Sequence, residues 1–222
     1  MARIEDRFSD SRFFMLGIIH GDARNDTVVK RWMDDVGPGV ITLELSPYGL
    51  AFRQEKGRAY MKRIDAICRK LQFEGYSCTP DDLRSFYSYV SVPREFEIAR
   101  DYCAVNSADL YLVDMGLFSY MKLKKIDELI SEENIRKNLI EDTGGRSNGQ
   151  KVLAGLYFRS GVSAFQYTDE MALRDRFMSR RITVLMRRFI GKRILHITGW
   201  QHLKDPFDLY TPLSPVKIYP YD

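Results

Sequence analysis

Between residues 13 and 45 the chain runs FFMLGII, then a stretch of helical periodicity, then VITLEL. This triplet constrains the fold more than any other feature. Val28, Val29, Trp32, Met33 and Val36 recur at helical spacing, Asp26 can cap the helix, and Gly37-Pro38-Gly39 stops it. A strand–helix–strand unit of this length gives two parallel strands with a right-handed crossover. Further strand signals follow in DLYLVDMG (109–116), in KRILHITGWQHLKD, which runs from strand into helix, and in SPVKIYPYD, whose prolines suit a sheet edge.

Helical patterns fill the intervals. One long helix is expected over 49–72, a short one from Pro80 to about Tyr89, and another from Pro93. Helical stretches are also expected at 118–130, 132–140 and 168–190. EDTGGRSNGQ, about 141–150, reads as a flexible loop. The expected architecture is α/β, a mainly parallel sheet flanked by helices. The expected organisation is a single domain over 1–222 with a helical segment at about 49–105.

Composition narrows the class. With 45% hydrophobic and 29% charged residues the chain can bury a real core, so disorder is not expected. No apolar run approaches the roughly 20 residues of a membrane span, and the polar start MARIEDRFSD lacks a signal-peptide core. A soluble, cytoplasmic protein without a membrane span is expected. Cys68, Cys78 and Cys103 are odd in number and show no C-x-x-C, so each is expected to be a small core residue rather than part of a disulfide framework or zinc site.

Two segments echo one another. Residues 13–20 end in Gly17-Ile-Ile-His20 and residues 193–202 end in Gly199-Trp-Gln-His202. These motifs use two of only three histidines. They suggest two related strand–Gly-x-x-His–helix units facing one cleft, since parallel sheets gather ligands at the carboxyl ends of their strands. Imidazole is a common ligand of first-row divalent ions. His196 lies mid-strand and reads as structural.

Glu44 closes the strand VITLEL, where a buried carboxylate is costly unless paired or metal-bound. Asp22, two residues after His20, could point into the same crevice, although such a residue also serves as a simple turn or cap. Arg174 and Asp175 interrupt the apolar stripe of Met171, Met178, Ile182, Leu185 and Phe189. A buried arginine needs an anionic partner, and Glu44 or a bound anion could supply it.

From Arg174 to Arg193 there are eight Arg or Lys and one Asp. Arg176, Arg180 and Arg187 are most simply the solvated back of a helix. Without a recognised nucleic-acid-binding motif, nucleic acid is not the expected partner.

The early Gly-x-x-His, the Glu of ELSPYGLAFR, the Arg-Asp helix of LRDRFMSRRI and the late Gly-x-x-His occur in the order found in TraB/PrgY-like proteins. Over about residues 13–203 the chain resembles that family. The family is similar to the Tiki metalloproteases and, more distantly, to erythromycin-esterase-like and ChaN-like proteins. The resemblance implies an α/β fold with both Gly-x-x-His units at one cleft, which in Tiki-type members is a divalent-metal peptidase site. It implies His20, Glu44 and His202 as the metal or catalytic set, with Arg53 and Arg174 as basic residues near it. Leu173 stands where many relatives carry Glu, and Gly-Trp-Gln-His is bulkier than the usual small-residue version.

The leading expectation is therefore a metal-dependent hydrolase acting on a peptide or small-molecule substrate. His20, His202 and Glu44 or Asp22 would hold manganese, cobalt or zinc, and Arg174 would neutralise developing charge. A metal-free esterase-like hydrolase using His20 or His202 as base is the second expectation. A non-catalytic module binding haem or another anionic ligand is the third. The 13 Tyr and 13 Phe also leave room for a homodimer.

Overall fold

The structure, a computed structural model, describes residues 10–79, 82–141, 146–161 and 165–221. In chain order the elements are β1 (Phe13–Ile18), α1 (Asn25–Val36), β2 (Val40–Leu43), α2 (Pro47–Phe73), α3 (Arg84–Val90), α4 (Arg94–Asn106), β3 (Asp109–Leu112) and α5 (Gly116–Leu123). They continue with α6 (Ile126–Leu129), α7 (Glu132–Glu141), α8 (Arg146–Ser160), α9 (Asp169–Arg188), β4 (Ile194–Gly199), 3₁₀ turns at Trp200–Lys204 and Thr211–Leu213, and β5 (Val216–Ile218).

The chain divides into two compact units. One comprises 1–45, 94–115 and 151–222, and the other 46–93 and 116–150. The first holds a five-stranded sheet in the order β3-β2-β4-β1-β5, with every neighbouring pair parallel. This is the expected α/β class. β1 and β2 are parallel, as the first triplet predicts, but they are not neighbours because β4 lies between them. β1 and β4 are wholly buried, as central strands of a covered parallel sheet are; β1 is apolar on both faces, whereas β4 carries His196 and Thr198 on one of them.

On one sheet face Phe13, Met15, Val40 and Ile194 pack with Met178, Ile182 and Leu185 of α9. These helix residues share one stripe, so α9 docks along its length. The Thr168 hydroxyl accepts from the Met171 amide at 3.2 Å and caps the start of α9. α1 buries Val29, Met33 and Val36 and ends at Gly37, whose left-handed φ of 58° lets its amide reach the Met33 carbonyl.

The second unit is helical. α2 opens on Ser46, whose hydroxyl accepts from the Gly49 amide at 2.9 Å, with Pro47 in the first turn. Its core joins Phe52, Ile64, Leu71, Phe86, Val90, Leu123, Ile126 and Ile135.

Here the structure corrects the cysteine expectation, since Cys68 and Cys78 form a disulfide and Cys103 alone is free. The chain reverses after α2 at Gly75, whose φ is +90°. Gln72 then donates to the Cys78 carbonyl at 2.8 Å, which leaves the two cysteine Cα atoms 6.1 Å apart. An odd cysteine count does not exclude one such local pair.

Three further boundaries differ from expectation. Residues 146–150 of the expected loop are helical, while 142–145 lie outside the described residues. The helix near Pro80 starts at Arg84, and Pro80 itself lies outside the described residues. After β4 the chain enters a 3₁₀ turn rather than an α-helix. That turn stops at Asp205, which takes a left-handed φ of 42°.

Candidate functional site

The site is built at the carboxyl ends of the central strands, within the sheet unit. Glu44 directly follows β2, and its amide continues the ladder to the Ile197 carbonyl at 3.0 Å. His20 lies two residues beyond β1, Asp114 two beyond β3, and His202 in the 3₁₀ turn after β4. Because β1 pairs with β4, with Ile18 opposite Gly199, the two Gly-x-x-His segments leave the sheet side by side.

The two glycines make this fit possible. A Cβ on Gly17 would stand 2.5 Å from Leu203 Cδ1 and 3.0 Å from the Trp200 Cα. A Cβ on Gly199 would stand 3.2 Å from His20 Nε2 and 3.5 Å from Glu44 Oε2. Each glycine thus makes room for the other motif.

Glu44 is the hub. Its Oε1 accepts from Arg174 Nη2 at 2.5 Å and faces His202 Nε2 at 3.1 Å. Its Oε2 accepts from the Thr198 hydroxyl and the Gly199 amide, both at 2.7 Å, with His20 Nε2 at 3.9 Å. Arg174 is a fork between two carboxylates, since its Nε and Nη2 also donate to Asp114 at 3.0 and 2.8 Å.

The far nitrogen of each imidazole meets another carboxylate. His202 Nδ1 lies 2.7 Å from Asp175 Oδ1, and His20 Nδ1 lies 3.0 Å from Glu95 Oε1. Asp175 is completely buried and also accepts from the Tyr167 and Tyr210 hydroxyls, the latter at 2.9 Å.

The electrostatics follow from these contacts. Burial alone would raise the Glu44 carboxyl, but His202, Arg174 and His20 hold it well below the usual range. Burial alone would lower His202, yet Glu44 and Asp175 push it up to about 10. His20 moves the same way, since burial opposes but Glu44 and Glu95 outweigh it. Solvent reaches 49% of the His20 side chain, which softens that shift without changing its sign. The side chains of His202 and Glu44 are only 4% and 7% exposed. His20 is therefore the face of the site that meets solvent.

Of the residues singled out in the sequence, His20, Glu44, His202 and Arg174 come together. Asp22 is engaged by Arg24, which binds it through its backbone amide at 2.9 Å and its guanidinium at 3.0 and 3.1 Å. Arg53 belongs to the helical unit, where it donates to the Gly49 carbonyl at 2.9 Å. His196 is buried mid-strand, with Nδ1 3.0 Å from the Thr42 hydroxyl.

Sequence reasoning missed Glu95, Asp114, Thr198, Tyr167 and Tyr210 as members of the site. Asp114 carried a signal as an acid ending a strand. Asp175 carried one as a charge in the apolar stripe of α9. Glu95 carried none, because an acid in the first turn of a helix is ordinary.

No family model matches the chain, and neither a curated protein nor a solved structure does.

Proposed function

We propose that the protein is a hydrolase of peptide-like or small ester substrates, with its centre at His20, Glu44 and His202. One observation carries this reading. Both Nε2 atoms converge on the two oxygens of one ionised, buried carboxylate, while each Nδ1 is pinned by a carboxylate of its own. Such outer carboxylates fix ring orientation and tautomer at metal sites and in hydrolytic acid–base pairs alike.

Among the described residues no group of three or more His, Cys, Asp or Glu stands ready as a metal cage. The donor chemistry nonetheless suits a first-row divalent ion, given two oriented imidazoles and one carboxylate. His20 and His202, through Nε2, and Glu44 would hold manganese, cobalt or zinc. Such an ion, when bound, lowers the pKa of a water and polarises a carbonyl.

The chain's own groups do the rest. Arg174 and His202 keep Glu44 ionised. Without a bound ion, Glu95 orients the exposed His20 ring through Nδ1, so that a proton held on Nε2 can pass to a leaving group at the mouth of the site. Arg174 supplies fixed positive charge beside a developing oxyanion.

The test is thermal melting with each divalent ion, alongside hydrolysis of chromogenic esters and peptides with and without chelator. Melting is expected to rise with at least one ion, and His20→Ala or His202→Ala should each remove the rise. Hydrolysis that survives chelation but not His20→Ala would instead support the metal-free acid–base version, which the exposed His20–Glu95 pair favours. Unchanged melting with every ion, together with no hydrolysis, would overturn both.

A further inference from the structure

The outer face of α9 has no role in the site. Its inner stripe, Asp175, Met178, Ile182 and Leu185, is buried. Outside, Leu173 and Val184 are 47% and 63% exposed, and Ile190, just past the helix end, is 82% exposed.

At about 100° per residue, Leu173 and Val184 share one line along the outermost ridge. Arg176, Arg180 and Arg187 fall about 20–60° to one side of Leu173, and Arg188 and Arg181 about 60–80° to the other. All five arginines are exposed. Among the described residues no carboxylate pairs with any of them, whereas nearby Lys192 is paired with Asp109 at 3.1 Å. Arg181 lies over the Phe177 ring at 5.6 Å and Arg188 over Phe189 at 5.3 Å, so both stems run along apolar surface.

We propose that this ridge is a docking surface for an anionic lipid bilayer. An apolar line flanked on both sides by arginines is the arrangement of a helix lying in a membrane interface. Its aliphatic groups enter the acyl boundary while the guanidinium groups reach outward to lipid phosphates. Five unpaired positive charges give the complementarity. The exposed Val184 and Ile190 decide between polyanions, because a nucleic-acid backbone gains nothing from aliphatic side chains on the ridge, whereas a bilayer does. The opposite face of α9 is anchored in the core, so the contact is shallow and reversible.

The test is co-sedimentation of the full chain with phosphatidylcholine vesicles, with and without phosphatidylglycerol, at low and high salt. Binding is expected only with phosphatidylglycerol, and it should weaken with salt. At about 1 kcal/mol per arginine near an anionic surface, each of Arg176→Gln, Arg180→Gln and Arg187→Gln should weaken binding about fivefold. Val184→Ser with Ile190→Ser should weaken it several-fold at unchanged charge. These side chains are exposed, so melting should match the parent.

Absence of vesicle binding, or equal binding to neutral vesicles, would overturn the assignment. Vesicle binding that needs the arginines but ignores Val184 and Ile190 would overturn it in favour of a soluble polyanion, which duplex RNA and DNA titrations would then identify.

Discussion

His196 sits at the centre of the sheet unit, fully buried, with Nδ1 on the Thr42 hydroxyl and its ring 6.1 Å from that of Tyr210. Among the described residues its Nε2 has no hydrogen-bonding partner. Burial is the main cause that depresses its pKa to about 4, against a smaller opposing pull from Glu44. Above the ordinary value of 6.5 both folded and unfolded chains keep this ring neutral, and its contribution is fully present. As pH falls below 6.5, the unfolded chain takes up a proton that the folded one refuses. Stability is then lost down to about pH 4, by about 3 kcal/mol at most. Denaturant unfolding between pH 7 and pH 4 should therefore show a shallower acid loss in His196→Gln than in the parent. Identical slopes would mean that the ring is protonated in the folded state.

Residues of the site were legible where a polar group broke an apolar pattern. Glu44 ends a strand, Arg174 cuts a helical stripe, and His20 and His202 follow strands after glycine. Glu95 and the Cys68–Cys78 pair broke no pattern. Each depends on where a turn places it, and spacing along the chain does not record that.

Among the elements, the approach of the two motif segments is the tightest packing at the site. Gly17→Ala would press a methyl into Leu203 and toward the Trp200 backbone. The leucine can give way, but the backbone at 3.0 Å cannot easily do so. A loss of about 1–3 kcal/mol is expected, with the 3₁₀ turn carrying His202 displaced and any divalent-ion stabilisation weakened. A variant that melts and binds like the parent would show that the turn has slack.

The strands were readable from their apolar runs, and α9 from its stripe. The 3₁₀ turn was not, because WQHLK has no periodicity long enough to separate it from an α-helix. Its end is set by Asp205, whose carboxylate accepts from the Leu209 and Tyr210 amides at 2.8 and 3.0 Å. That capping turns the chain back so that Tyr210 reaches Asp175.

For the whole molecule, the described disulfide lies in one of the two units. The disulfide closes a short loop in the helical unit, and removing it by reduction or Cys68→Ser should cost on the order of 2–3 kcal/mol. Trp32 and Trp200 both lie in the sheet unit. The far-ultraviolet helical signal should therefore fall at lower denaturant on reduction, by more than the tryptophan fluorescence does. A coincident fall in both signals would show that the units unfold as one.

No helix among the described residues is long and apolar enough to cross a membrane. The order of the strands has a consequence for biosynthesis. β4 fills the slot between β1 and β2, yet it leaves the ribosome long after both. Until it emerges, two bare strand edges must wait unjoined, and Glu44 has neither Thr198 nor His202 to lean on. A nascent chain halted before residue 194 therefore exposes sticky edges and an inert carboxylate, and the emergence of β4 and the turn after it completes the central sheet and the centre together.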